Sequence, residues 1–114
     1  MDCIFCKIIN GEIPGKFIYK DDKIAAFYDI SPKAPIHALV IPVKHIASLA
    51  DINEDDKDLM GELLLSIQKV AQKLGLEKSG FKLISNNGKG AGQIVFHLHF
   101  HILGGWSKSP KWQV

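Results

Sequence analysis

The 114-residue sequence predicts an α+β domain, an antiparallel sheet of about five strands with one long helix and a short N-terminal helix. Three observations carry that expectation. Apolar residues recur at sustained helical spacing over a single long stretch, from about Glu54 to Leu74. Short β-prone runs flank it on both sides, and the connections between elements are short. Such a sheet is expected to have one covered face and one face free for a site.

The elements follow in order. Cys3 to Asn10 carries Ile4, Phe5, Ile8 and Ile9 at helix-like spacing, and Gly11 stops it, so a short helix is expected there. Phe17–Lys20 and Ile24–Tyr28 are β-prone runs, and the polar stretch Lys20-Asp21-Asp22-Lys23 makes them a hairpin. Ser31-Pro32-Lys33-Ala34-Pro35 reads as a loop, because each proline lacks an N–H and restrains its predecessor. A strand then runs from His37 to Ile41, with Pro42 expected to stop it. In the long helix, Leu59, Met60, Leu63, Leu64, Ile67, Val70, Ala71 and Leu74 form the apolar face. Asp51 or Asn53 can cap its start, and Gly75 is placed to end it. Phe81 to Ser85 is a further strand, followed by the polar, glycine-rich segment Asn86-Asn87-Gly88-Lys89-Gly90-Ala91-Gly92-Gln93. The last strand is expected from Val95 to Leu103, closed by Gly104-Gly105, with Trp106 and Trp112 in a short tail, residues 107–114.

Composition bounds the function. The length suits one domain spanning 1–114, with no internal repeat or linker. Hydrophobic residues are 46 % and charged residues 23 %, the balance of an ordinary globular chain. A formal charge of +2, with acidic and basic residues interspersed, offers no basic stripe for a nucleic-acid backbone. Met1-Asp2-Cys3 has neither a charged nor an apolar leader segment, and no apolar run approaches the roughly 20 residues of a membrane span. A cytoplasmic protein without membrane or nucleic-acid partners is therefore expected. In a reducing compartment the pair Cys3-x-x-Cys6 favours a metal site or a redox pair over a structural disulfide.

The chemistry concentrates in His97-Leu98-His99-Phe100-His101-Ile102-Leu103. Strict alternation in a strand sends the three imidazoles to one face and Leu98, Phe100 and Ile102 to the other. At about 3.3 Å per residue, His97 and His101 lie about 13 Å apart, too far for one metal ion to take all three rings. Covalent catalysis by the middle imidazole remains, with a neighbour supplying charge or a proton to the transferring group. Neutral imidazole is a good nucleophile and, once phosphorylated, a good leaving group, which suits phosphoryl or nucleotidyl transfer.

With these residues in view, the chain resembles the histidine-triad (HIT) superfamily, specifically the nucleotide-binding, phosphoramidase-like (HINT) branch in its zinc-containing bacterial type. The resemblance runs through Ile4-Phe5-Cys6-Lys7-Ile8-Ile9, Glu12-Ile13-Pro14 and Ala26-Phe27-Tyr28-Asp29-Ile30-Ser31-Pro32. It continues in His37-Ala38-Leu39-Val40-Ile41-Pro42, Lys44-His45-Ile46, Gly92-Gln93 and the histidine strand with Gly104-Gly105.

What the resemblance implies is a hydrolase cleaving the P–N bond of adenosine or guanosine 5′-monophosphoramidates. It assigns His99 as nucleophile, His101 as the phosphate contact and His37 as a supporting fourth histidine, and His97 completes the catalytic set. Asp29 would hold the ribose hydroxyls. Phe5, Ile8, Ile13, Phe27 and Ile30 would form the base pocket, and Asn86, Gly92 and Gln93 the phosphate-side loop. Cys3, Cys6, His45 and His97 would share a structural zinc ion, and the chain would form a symmetric homodimer with the tail near Trp106 approaching the neighbouring site. Alternative activities are dinucleoside polyphosphate hydrolysis and non-catalytic nucleotide binding in signalling. Two positions depart from the pattern. Ile94 stands where relatives often carry a small polar residue that touches the phosphate or leaving group, and Tyr28 where some carry histidine.

Overall fold

A computed structural model of the chain describes residues 2–111. The elements are α1 (Ile4–Ile9), β1 (Phe17–Lys20), β2 (Ile24–Tyr28), β3 (Ile36–Pro42), α2 (Lys57–Lys73), β4 (Phe81–Ile84) and β5 (Phe100–Gly104). The strands form one antiparallel sheet in the order β1-β2-β3-β5-β4, so the α+β architecture expected from the sequence is the one observed. No helix among the described residues is long and apolar enough to cross a membrane.

Local chemistry explains the boundaries. Cys3 is the N-cap of α1, its sulfur 3.4 Å from the amide of Cys6. In the β1–β2 hairpin, Asp21 Oδ1 accepts from the amides of Lys23 and Ile24, both at 2.8 Å, while Tyr19 donates to Asp21 Oδ2. Asn53 and Asp56 form a capping box over a 3₁₀ turn, Glu54–Asp56, that leads into α2. Asp56 is buried, and Lys44 Nζ reaches its Oδ1 at 2.5 Å. Gly75 leaves α2 at φ +76°, the left-handed conformation that glycine adopts without penalty.

Both faces of the sheet are covered. Ala26, Ala38, Val40, Leu98 and Ile102 pack with Leu63, Ile67, Val70 and Ala71 of α2. Ala25, Phe27, Leu39 and Ile41 pack instead with Cys3, Phe5, Ile8 and Ile9 of α1. The second face is therefore partly roofed by the N-terminal helix rather than free.

The expected boundaries of three strands shift, β3 and β5 at both ends and β4 at one. Pro42 closes β3 from within, pairing with Ile24 at the end of the ladder, where no further amide is needed. β4 ends at Ile84, one residue short of Ser85. The histidine strand is shorter than Val95–Leu103, because the β3–β5 ladder begins at Val40 paired with Phe100. Before that point the chain leaves the ladder, and the Leu98 amide donates to the Ile46 carbonyl at 2.6 Å. The alternation survives without the ladder. Leu98, Phe100 and Ile102 enter the core under α2, while His97 and His99 meet Phe5 of α1. Trp112 lies outside the described residues.

Candidate active site and metal-ligand cluster

Two groups of polar side chains meet under α1, and the three histidines link them. The ring of Phe5 packs edge-on against His99, with centroids 5.1 Å apart, and against His97 at 6.0 Å. His99 and His101 are neighbours at 5.0 Å between centroids.

Hydrogen-bond partners assign the proton on each ring. His99 Nδ1 lies 2.7 Å from the carbonyl oxygen of His97, an acceptor only. Nδ1 therefore carries the hydrogen, and in the neutral ring Nε2 keeps its lone pair. The amide of Lys33 donates to His37 Nδ1 at 3.0 Å, which places the His37 proton on Nε2. From there it donates to His101 Nδ1 at 2.9 Å, leaving His101 with an Nε2–H. A nucleophilic nitrogen and an N–H donor thus stand on adjacent rings. Burial, with weaker opposing or reinforcing charges, lowers the pKa of His37, His99 and His101, the last to about 4, so all three are neutral near pH 7.

Asp29 enters through the β2–β3 turn. Its Oδ1 accepts from the Ser31 amide at 2.8 Å, and its Oδ2 lies 3.5 Å from His37 Nε2. Phe5, Ile8 and Phe27 are buried together, with Ile13 packed against them. Ile30 does not join this group and is 94 % exposed.

In the glycine-rich segment, Gly88 (φ +91°) and Gly92 (φ +85°) adopt positive φ. Gln93 is buried and its hydrogen bonds are spent inside the protein. Its Oε1 accepts from the Gly88 amide, and its Nε2 donates to the carbonyls of Ala47 and Val95. Asn86 donates to the Ala91 carbonyl at 3.0 Å. Both side chains brace the loop. Ile94 beside them is 88 % exposed.

At the other end of the histidine segment, His97 Nε2 donates to the Pro42 carbonyl at 2.7 Å, which frees Nδ1 as a ligand atom. That nitrogen lies 3.4 Å from Cys3 Sγ, 3.6 Å from Cys6 Sγ and 3.2 Å from His45 Nδ1. Cys6 Sγ is also 3.6 Å from His45 Nδ1, and all four donor atoms lie within 4.8 Å of one another. Burial and the adjacent Cys3 push the Cys6 thiol up to about 11, so a thiolate at Cys6 is favoured only with a cation among the donors. The four residues form a cluster able to hold a metal ion. A cavity of about 370 Å³ borders it, walled by Cys3, Ile4, His45, Ile94, Val95 and Phe96.

Asp29, His37 and His101 also bring three donor atoms within 4.8 Å. Their chemistry differs, because the Lys33 amide fixes a proton on the His37 nitrogen that would have to bind the metal. This group is a hydrogen-bond network. The backbone partners that sort the two groups, Lys33 N–H and the carbonyls of Pro42, Ala47 and His97, are not announced by any side-chain motif.

Residues 10–108 match the HIT domain family, and the chain belongs to it. The protein HitA of Neisseria gonorrhoeae is 47 % identical over 103 residues, covering 90 % of this chain and 95 % of that protein. A crystal structure described as a HIT family hydrolase from Legionella pneumophila superposes with a TM-score of 0.90 at 46 % identity, covering 95 % of this chain and 96 % of that one. A histidine triad nucleotide-binding protein from Candida albicans superposes at 0.81 with 36 % identity, covering 96 % and 86 %.

Proposed function

We propose that this protein is a purine nucleoside phosphoramidase of the HINT branch, with His99 as nucleophile. One observation carries the reading: His99 presents an unprotonated Nε2 beside the Nε2–H of His101, each tautomer set by its own hydrogen-bond partner. The description of a similar Legionella protein as a hydrolase and of a similar Candida protein as nucleotide-binding supports the same class.

In this reading the purine lies against the apolar group of Phe5, Ile8, Ile13 and Phe27, and Ile30 closes over it from its exposed position. Asp29 accepts from the ribose hydroxyls. The loop around Gly92 lies on the phosphate side, its own amides closing onto the Gly88 and Lys89 carbonyls and its shape held by the Asn86 and Gln93 side chains. His99 Nε2 attacks the α-phosphorus, the P–N bond breaks, and the amine leaves with a proton taken from solvent, while His99 keeps its Nδ1–H on the His97 carbonyl. The His101 N–H stabilises the phosphoryl oxygens, and His37 holds His101 in the donating tautomer. Water then cleaves the nucleotidyl-imidazole.

Zinc suits the four-residue cluster. Tetrahedral bonds of about 2.0–2.1 Å to nitrogen and about 2.3 Å to sulfur require N···N edges of about 3.4 Å and S···N edges of about 3.5 Å. The observed edges are 3.2 Å and 3.4–3.6 Å. Four protein ligands leave no open position, so zinc would supply rigidity and no activated water. Cys3, Cys6 and His45 would then fix His97, whose carbonyl orients His99.

A homodimer fits the apolar surface. Leu64 and Leu65 of α2 and Phe81 and Leu83 of the edge strand β4 are exposed, and nothing among the described residues fills the space a Cβ at Gly61 would occupy. A cytoplasmic site of action is part of this proposal.

Mass spectrometry of a rapidly quenched reaction with adenosine 5′-phosphoramidate tests the reading. A nucleotidyl adduct on His99 is expected, and hydrolysis at the parent rate by His99→Ala would overturn it. Comparison with diadenosine polyphosphate turnover separates the two hydrolase activities, and tight nucleotide binding without turnover of either would identify a signalling module.

A further inference from the structure

His37 has one hydrogen to give, on Nε2, and two acceptors near it. His101 Nδ1 lies at 2.9 Å and Asp29 Oδ2 at 3.5 Å. The Lys33 amide closes off the other ring nitrogen, so the proton cannot move to Nδ1 without losing that bond. The Ser31 amide holds Asp29 Oδ1 and so keeps Oδ2 turned toward the imidazole. The Asp29 side chain retains 19 % exposure, and a ligand can reach it from solvent.

We infer that Asp29 and His101 compete for the Nε2 proton of His37, and that ribose hydroxyls binding Asp29 settle the competition in favour of His101. Recognition of the sugar thereby sets the hydrogen-bond donor at the phosphate. This rests on the nucleoside reading given above and adds a positioning role for Asp29, exerted through His37.

The surrounding charges agree. His37 is faced by Asp29 and Lys33 of the β2–β3 turn and by His101 of β5. His101 is faced by His99, His37 and Asp29. Asp29 is the carboxylate acting on both rings, and its charge favours their protonated forms while burial opposes them. Hydroxyls that donate to Asp29 partly neutralise its attraction for the His37 N–H, and the shorter bond to His101 gains what the carboxylate gives up. Firm donation into His101 Nδ1 confines the His101 hydrogen to Nε2, the nitrogen free to meet a phosphoryl oxygen.

A sugar without hydroxyls should consequently impair turnover as well as binding. The test uses the whole protein with ¹⁵N-labelled histidine, in which ring nitrogen shifts report the tautomer and hydrogen bonding of His37 and His101. Saturating adenosine should move His101 toward the pure Nε2–H form, whereas 2′,3′-dideoxyadenosine should leave it as in the free protein. Free Asp29→Asn protein should already show the adenosine-bound pattern. With phosphoramidates of the two nucleosides, kcat should fall roughly tenfold on losing the hydroxyls, and the ratio should shrink to about twofold in Asp29→Asn.

Equal His101 shifts with both nucleosides, or a dideoxy effect confined to KM, would overturn the coupling. Failure of adenosine to bind would overturn the nucleoside reading together with it. Bound nucleoside without hydrolysis would overturn only the phosphoramidase reading, since the ring shifts still decide the coupling.

Discussion

The Nδ1 of His99 lies 2.7 Å from the carbonyl oxygen of His97, two residues earlier in the same segment. A main-chain atom thus fixes the tautomer of the proposed nucleophile, and no side chain need be recruited for the purpose. His99→Ala should lower phosphoramidate turnover by about 10³-fold or more while leaving nucleotide affinity within about threefold. Steady-state kinetics beside calorimetric nucleotide titration would check this, and parallel losses in turnover and affinity would count against the nucleophile.

Acid should weaken the fold before the carboxylates titrate. Burial lowers the pKa of His37, His99 and His101 below the ordinary 6.5, so at mildly acidic pH the unfolded chain binds more protons than the folded one. Their effect is absent above about pH 6.5, and stability falls progressively below it, down to about pH 4 for His101. Asp21 and Asp56, held below 3.8 chiefly by Tyr19 and Lys44 respectively, weaken the fold only in stronger acid. Urea midpoints should therefore be lower at pH 5 than at pH 7, and a flat profile between them would refute the assignment.

Metal removal should act on stability first. Chelation, or Cys3→Ser, should lower the thermal midpoint by several degrees and reduce metal content from one zinc per chain. Turnover should follow the loss of fold. Elemental analysis with calorimetry would decide, and an unchanged midpoint after complete metal loss would exclude a structural ion.

Gln93→Glu should disturb the glycine-rich loop more than its small size change suggests. The new carboxylate would face the carbonyls of Ala47 and Val95, which now accept from the Gln93 amide. Leaving such buried groups mismatched costs about 1–3 kcal/mol. Faster amide hydrogen exchange over residues 86–95 and a lower unfolding free energy are expected.

The exposed apolar residues of α2 give a direct test of assembly. Leu65→Glu should convert a dimer to monomer with little change in helical circular dichroism, because Leu65 lies outside the core. Sedimentation at several concentrations would show it, and a monomeric parent protein would remove the premise.

Much of this was legible in the residues themselves. The 3.6-residue period marked α2, the hairpin runs marked β1 and β2, and alternation alone sent His97 and His99 to the Phe5 side and Leu98 to the core. Alternation did not reveal that the ladder starts only at Phe100, because extended backbone alternates whether or not a neighbouring strand pairs with it. The base-pocket residues form one set in the resemblance, yet exposure separates Ile30 from Phe5, Ile8 and Phe27, which are buried together with Ile13 against them. The resemblance places Gln93 and Asn86 on the phosphate side; that their side chains are also bonded to loop carbonyls and amides depends on the folded path of the chain and has no sequence signal. The tautomers are hidden for the same reason, since the Lys33 N–H and the Pro42 carbonyl that set them are main-chain groups that no side-chain pattern announces.

Cys3 and His97, whose donor atoms lie 3.4 Å apart, are separated by 94 positions in the chain. An ion held by Cys3, Cys6, His45 and His97 would staple α1 to the segment that leads into β5, with β1 to β4 inside the loop so closed. The longer the loop a cross-link closes, the more chain entropy it removes from the unfolded state, so the cluster would act as a cross-link across most of the fold.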